Sequence, residues 1–370
     1  MASFVIRGAD SALTPIQHST NIFHSYLAQM ILAPYIGKRG SGKPIIVDDT
    51  LKKGRGESVR FHFIPQNVTD GILGQNASIR ANTESLDEYY VDLTVDQMTK
   101  AFASKGKMTE QRMIWEFRTE ATQQLTNWWA EQTERLLLLA GAGFVSGMPT
   151  DVGAYALYTR YYDPTNTTDA VTGAGRCIRA SGITASAQMS AANSDNTALY
   201  AAMTVNDKMS PKLITDASLM ATFGGTYRIS PIRVGPNGEK FYVLFVHKYA
   251  ARDLREHPDW QNRVIGLAEK GLDNDPIATG ALGVWDNVIV KSSELLPTFG
   301  LAGTKVFARN LLMGADAVAL GWAQNLDYTE ENDTFDNIMR VKADEIRGQR
   351  KITFNGCDMG VAQVITAANA

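Results

Sequence analysis

The stretch from about Thr109 to Ala140 constrains this chain more than any other, because it is too long and too regular to be a connection between other elements. Ile114, Phe117, Ala121, Leu125, Trp128 and Leu139 fall near one face at three- and four-residue steps or their multiples, the spacing of an amphipathic helix. Thr109 suits the N-cap with Glu110 in the first turn, and Gly141 and Gly143 suit the end. At 1.5 Å of rise per residue the pattern predicts about 45 Å of helix, a spine on which other parts pack. Trp128 and Trp129 could suggest stacking on bases. With Trp128 on the apolar face and Trp129 beside it, a core or a subunit interface is the expectation.

Upstream of the spine, ESVRFHFIP (Glu57 to Pro65) alternates, with Val59, Phe61 and Phe63 on one side and Arg60 and His62 on the other. Tyr89 to Val95 alternates in the same way, and residues 66 to 83 between them are rich in Gly, Asn and Ser. A long two-stranded hairpin with a flexible tip follows. Such a hairpin is marginal alone in water, so it needs a neighbour to lie on. Residues 1 to about 45 mix short apolar pieces with His, Gly and Pro without sustained periodicity, which predicts an extended arm.

Beyond the spine, Met148 to about Asn206 is poor in aliphatic residues and predicts a loop-dominated insertion with one short helix near Ala191 to Ala202. Helices are expected over 211–224 and 249–264, and strands over Lys240 to His247 (KFYVLFVH) and Trp285 to Lys291 (WDNVIVK). Val306 to Trp322 is a further apolar stretch, and ITFNGCDMGVAQVITAA predicts two strands joined around Asn355-Gly356. The class is α+β.

Composition excludes several functions. With 36 Lys and Arg against 39 Asp and Glu, the net charge of -3 gives no general attraction to polyphosphate. Cys177 and Cys357 lie far apart and form no CxxC pair, which argues against a zinc site or a disulfide framework. Neither a signal peptide nor an apolar run long enough to span a bilayer is evident, so the chain is expected to be made in the cytosol, with no membrane partner.

The sharpest candidate for chemistry is Gly37 to Lys43, GKRGSGK, which meets part of a phosphate-binding loop. Pro44 then stands where a hydroxyl should hold magnesium, and the strand-like IIVDD follows where the phosphate needs a helix N-terminus. A flexible basic tract is the expectation instead. His18, His24, His62, His247 and His257 show no metal-site spacing and read as satisfied surface or boundary residues. Asp327 to Asp336 (DYTEENDTFD) lacks the order of a calcium loop and reads as a solvated connection. No catalytic, cofactor-binding or metal-binding residue is assigned, and no cofactor is expected.

The succession of parts resembles the Hong-Kong-97-type capsid fold of tailed phages, and in particular the N-four-like phage major capsid proteins. The resemblance is carried by LAPYIGKRGSGKPIIVDDTLKKGRGESVRFHF, EQRMIWEFRTEATQQLTNWWAEQ, SPIRVGPNGEKFYVLFVHKYAARDLREHPDWQ, GALGVWDNVIVKSSELLP, RNLLMGADAVALGW and KITFNGCDMGVAQVI, in this order over most of the chain. It implies an N-terminal arm (1–45), an extended loop built of the hairpin (46–103), and an axial domain (205–325). A peripheral domain (104–204 and 326–370) would carry the spine helix and an insertion at 145–205. It also implies a structural, non-enzymatic protein of the virion, assembled in the host cytoplasm into hexamers and pentamers of an icosahedral head. The partners implied are further copies of the chain, a portal, a scaffolding or decoration protein, and packaged double-stranded DNA through non-specific contact. The alternative within the same fold is the shell of a nanocompartment that encloses a cargo enzyme.

Overall fold

The first described element is a helix, where sequence periodicity alone predicts an extended arm. Ile22, Tyr26 and Met30 recur at four-residue steps, and all three are buried. The computed structural model describes residues 13–52, 56–64, 88–112, 116–142, 176–181, 185–188, 203–204, 206–223, 228–234, 238–262, 281–300, 305–333, 337–354 and 357–369. Within them the first helix, α1, runs over Leu13–Gln29. A 3-10 turn at Ala33–Tyr35 leads into β1 (Ile36–Lys38) and β2 (Ile45–Asp48).

The hairpin follows as β3 (Ser58–Phe63) and β4 (Tyr89–Thr94), antiparallel with Phe63 opposite Tyr89. Its tip, 66–83, lies outside the described residues. Next come β5 (Asp96–Ala103), the short helix α2 (Lys107–Arg112) and the spine α3 (Phe117–Gly141). The single helix expected from Thr109 is therefore divided. Glu116 is extended (φ -79, ψ 124) and precedes α3, so Thr109 sits inside α2 instead of capping the spine. At 25 residues the spine is about 37 Å long. Its buried stripe runs through Ala121, Leu125, Trp129, Thr133 and Leu137 at strict four-residue steps. That repeat puts Trp129 in the core and Trp128 at its edge, the reverse of the expectation.

The described residues of the expected loop-dominated insertion include two short strands. β6 (Cys177–Ser181) and β7 (Ala185–Gln188) form a hairpin at the edge of a sheet. The helix expected near Ala191 to Ala202 lies outside the described residues. Then come α4 (Pro211–Phe223), β8 (Arg233–Val234), β9 (Lys240–His247) and α5 (Lys248–Glu256). The helix expected over 249–264 stops at His257, which is extended (φ -74, ψ 127) because Pro258 follows, and resumes over 258–262. The strand expected from Trp285 to Lys291 is a tight hairpin, β10 (Gly283–Trp285) and β11 (Val288–Ser293). Asp286 and Asn287 turn it with positive φ at both positions, 48 and 61.

The chain closes through β12 (Thr298–Gly300), β13 (Lys305–Met313), β14 (Val318–Asp333), β15 (Ile338–Lys351), the pair β16 (Thr353–Phe354) and β17 (Cys357–Asp358), and β18 (Val361–Asn369). The antiparallel β16–β17 pair meets the expectation of strands joined around Asn355-Gly356. The acidic run at Asp327 to Asp333, by contrast, is no connection. It forms the second half of β14, paired residue by residue with β15.

Two sheets organise these elements. The first has the order β1-β2-β14-β15-β5, and the second runs β10-β11-β9-β13-β18-β6-β7 with β12 and β8 added at its flanks. A core of Ile22, Tyr26, Leu125, Trp129, Leu138, Val243, Phe245, Leu311 and Leu320 fills the space between α1, α3, the first sheet and one face of the second. The other face of the second sheet, with Tyr242, Leu244, Val246 and Val290, packs on α4 and α5 through Leu213, Ile214, Ala217 and Leu254. Helices pack on sheets whose strand pairs are mostly antiparallel, which fits the α+β class.

Candidate assembly elements and the groups that anchor them

The β3–β4 hairpin has two unlike faces. Val59, Phe61, Val91 and Leu93 are buried against Ile46, Ala319 and Ile352, so the neighbour that the hairpin needs is, at its base, its own chain. The opposite face is polar and ordered. Arg60 donates to Asp92 at 2.7 and 2.9 Å, and its guanidinium lies 4.0 Å from the centre of the Tyr90 ring. These hydrogen bonds hold the Asp92 carboxyl below the usual carboxylate range. His62 Nδ1 lies 2.9 Å from Glu88 Oε1, and Tyr90 is 57% exposed. Period-2 alternation dictates this division, since one face of a strand faces the core and the other faces outward.

Under the hairpin and beside it, β15 carries charge into the interior. Glu345 and Arg347 are almost completely buried and 3.7 Å apart. Glu345 accepts hydrogen bonds from Trp322 Nε1 in β14 and from the Tyr26 hydroxyl of α1 at 3.4 Å. Arg347 donates to Thr133 Oγ1 of α3 at 2.6 Å and lies over the Trp129 ring. Burial pushes the Glu345 carboxyl above its usual range, against the pull of Arg347. One pair therefore ties α1, α3, β14 and β15 together. Glu134 of α3 does a related task, without a cation partner among the described residues. It accepts from Ile31 N at 3.1 Å and from Ser293 Oγ at 3.0 Å, and burial raises its pKa.

A second buried pair, Lys351 and Asp358 at 2.8 Å, closes the turn between β15 and β17. Nearby, Arg309 donates to Gln363 Oε1 at 2.7 Å, and Gln363 Nε2 donates to the Ala142 carbonyl at the end of α3 at 2.9 Å. These groups are sealed from solvent, with protein donors and cations as neighbours. Their chemistry is that of fastening strands and helices. The sequence reading missed all of them. The available signal was the alternation in IMRVKADEI, which charged residues at inward positions conceal.

The residues singled out for chemistry are scattered. Lys43 turns its ammonium onto the Pro34 carbonyl, and strand β2 follows the Gly37 tract, as IIVDD predicts. The Lys43 carbonyl accepts Asp316 N at 3.0 Å, which fastens the tract to the turn between β13 and β14. The tract is anchored at Lys43, while Lys38 to Ser41 are exposed. His247 is buried at the start of α5, where its ring accepts Tyr249 N and burial lowers its pKa. His257 accepts Asp259 N, which is a boundary role, and the His18 side chain lies outside the described residues. Cys177 is buried at the start of β6. Among the described residues no group of three or more His, Cys, Asp or Glu is placed to hold a metal ion, and no helix is long and apolar enough to cross a membrane.

Comparison with known proteins places the chain among phage capsid proteins. The major capsid protein of Pseudomonas phage KPP25 is 28% identical over 338 residues, covering 87% of this chain and 86% of the relative. Two solved structures share the fold with a TM-score of 0.72: the capsid of Ralstonia phage GP4, at 22% identity over 91% of this chain and 90% of that one, and the cyanophage Pam1 capsid asymmetric unit, at 20% identity over 92% of each. The fold is the Hong-Kong-97-type capsid fold, and the role is structural, that of a major capsid protein in a virion. Residues 8–370 match the model of the phage capsid protein family, and the chain belongs to that family.

Proposed function

We propose that this chain assembles with copies of itself, as hexamers and pentamers, into an icosahedral phage head that encloses double-stranded DNA. The observation that carries this reading is the β3–β4 hairpin. It is fastened at its base by an apolar face and presents Arg60, His62, Tyr90 and Asp92 outward in a fixed row. Two strands are marginal alone in water, and burial against a second copy offsets the entropy lost in ordering them. In this reading 46–103 is the loop that reaches across, 1–45 the arm, and 205–325 the domain near capsomer centres. Residues 104–204 and 326–370 form the peripheral domain. Obligate contacts of this kind bury on the order of 2,000–5,000 Å². A portal and a scaffolding or decoration protein complete the shell, DNA is held by non-specific contact, and assembly takes place in the host cytoplasm. No catalytic step is assigned.

The test is negative-stain electron microscopy of the purified protein, with size-exclusion chromatography alongside. Closed shells, capsomers or tubes are expected. A monomer or dimer that persists under all conditions overturns the reading.

A further inference from the structure

Where the hairpin meets the body, it crosses two glycines. Gly321 of β14 and Gly348 of β15 are register partners, directly opposite each other in the first sheet. A Cβ on Gly348 would stand 2.1 Å from the Thr94 carbonyl oxygen and 3.3 Å from Leu93 Cγ. A Cβ on Gly321 would stand 2.9 Å from Leu93 Cδ2 and 3.5 Å from Val59 Cγ2. Neither glycine has positive φ. Closeness to the hairpin, and not backbone conformation, is what requires glycine at both positions.

The path of the chain explains why the approach is so close. β5 begins its pairing with β15 at Asp96, opposite Arg347, so the backbone passes from the face of the sheet to its edge directly above Gly348. Two further ties fix the crossing: Arg350 Nη1 donates to the Asp92 carbonyl at 3.0 Å, and Val95 N donates to the Glu57 carbonyl at 3.0 Å. A side chain at 348 would have to lift a backbone carbonyl, which has no rotamer by which to move aside. At 321 the obstacle is one methyl of Leu93.

We propose that the Gly321–Gly348 pair is a positioning seat that fixes the angle at which the hairpin leaves the body, and through that angle the contact it makes with a second copy. The link to a second copy rests on the reading in Proposed function; the seat itself does not. Strands of six residues are about 20 Å long, so a tilt of about 10° at the seat displaces their far end by roughly 3–4 Å. Close-packed interfaces do not absorb such a displacement.

The experiment combines hydrogen exchange on the unassembled subunit with electron microscopy under assembly conditions, for wild type, Gly348→Ala, Gly321→Ala, Leu93→Val and the pair Gly321→Ala/Leu93→Val. In Gly348→Ala the amides of β3 and β4 are expected to exchange about tenfold faster or more, while those of β9 and β13 keep their protection. Closed shells are lost. Gly321→Ala gives a smaller rise, and adding Leu93→Val brings exchange back toward that of Leu93→Val alone. Wild-type exchange in Gly348→Ala overturns the seat. If Gly348→Ala loses protection throughout and so fails to fold, the Gly321 and Leu93 variants decide, and additive effects without any recovery overturn it. Fast hairpin exchange with normal closed shells overturns the link between seat and assembly. Failure of the wild type to assemble is a failure of the proposed function, and the exchange data still judge the seat.

Discussion

Strands β9 and β15 are both buried, and they are buried by opposite means. KFYVLFVH alternates between two apolar cores: Val243 and Phe245 face α1 and α3, while Tyr242, Leu244 and Val246 face α4 and α5. IMRVKADEIRGQRK reaches the same depth with Asp344, Glu345, Arg347, Gln349 and Lys351 inside. The first strand is held by non-directional burial, which tolerates changes of shape as long as volume is kept. The second is held by partners at fixed positions, so it is sensitive to the loss of one charge whose partner stays buried. The difference marks a division of labour. β9 builds the core of one sheet, whereas β15 sets α1, α3 and the hairpin base in register with one another.

The strongest way to break this comparison is to remove one charge from β15. Arg347→Met leaves Glu345 buried without its cation and is expected to cost about 3–5 kcal/mol in urea unfolding of the unassembled subunit. Adding Glu345→Gln should recover most of that cost, because the amide oxygen still accepts from Trp322 Nε1 while the amide NH2 can donate to the Tyr26 hydroxyl oxygen. No recovery in the double variant would mean that Arg347 acts through packing on Trp129 alone. On the apolar side, Phe245→Ala opens a cavity beside Tyr35, whose ring centre lies 5.4 Å away, and is expected to cost about 3–5 kcal/mol. Phe245→Leu should lose much less, and a loss equal to that of alanine would remove the distinction between the two strands. Smaller again, Tyr26→Phe removes one hydrogen bond to Glu345 and should cost about 1 kcal/mol in the same measurement.

The same contrast explains what could be read from the sequence. β9 was legible because an unbroken apolar run between polar ends leaves a buried strand as the simplest solution. The β3–β4 pair was legible because Val59, Phe61, Val91 and Leu93 alternate with charges that do point outward. β14 and β15 were not, because Asp344, Glu345 and Arg347 look like surface residues until the groups that satisfy them are placed by other segments. α1 was hidden in a similar way. Its stripe of Ile22, Tyr26 and Met30 lies among Ser, Asn, Gln and His, and it gains its partners only when α3 and β14 fold against it. Two departures do have markers in the sequence: Pro258 announces the break after α5, and Asp286-Asn287 announces the β10–β11 turn. The division at Glu116 has no such marker. The order of parts sufficed to identify the capsid fold, while the groups that fasten those parts were visible only in the folded chain.

Glu134 gives the finest test, because it is a buried carboxylate like Glu345 whose partners among the described residues are two neutral donors and no cation. Burial places its pKa in the folded subunit above the value it has when unfolded. Between those two values the folded subunit holds a proton that the unfolded chain has released. Its contribution to stability is therefore fully present below the ordinary carboxylate range and is lost as pH rises through the raised value. Glutamine keeps an oxygen for Ile31 N and cannot ionise. Glu134→Gln should thus match the wild type at acid pH and be the more stable protein at neutral and alkaline pH, by about 1 kcal/mol or less. Urea unfolding over a series of pH values measures this directly. A variant that is less stable than the wild type at alkaline pH would show that the charged carboxylate binds Ile31 and Ser293 strongly enough to outweigh its burial, and would place Glu134 with the charge-held groups of β15.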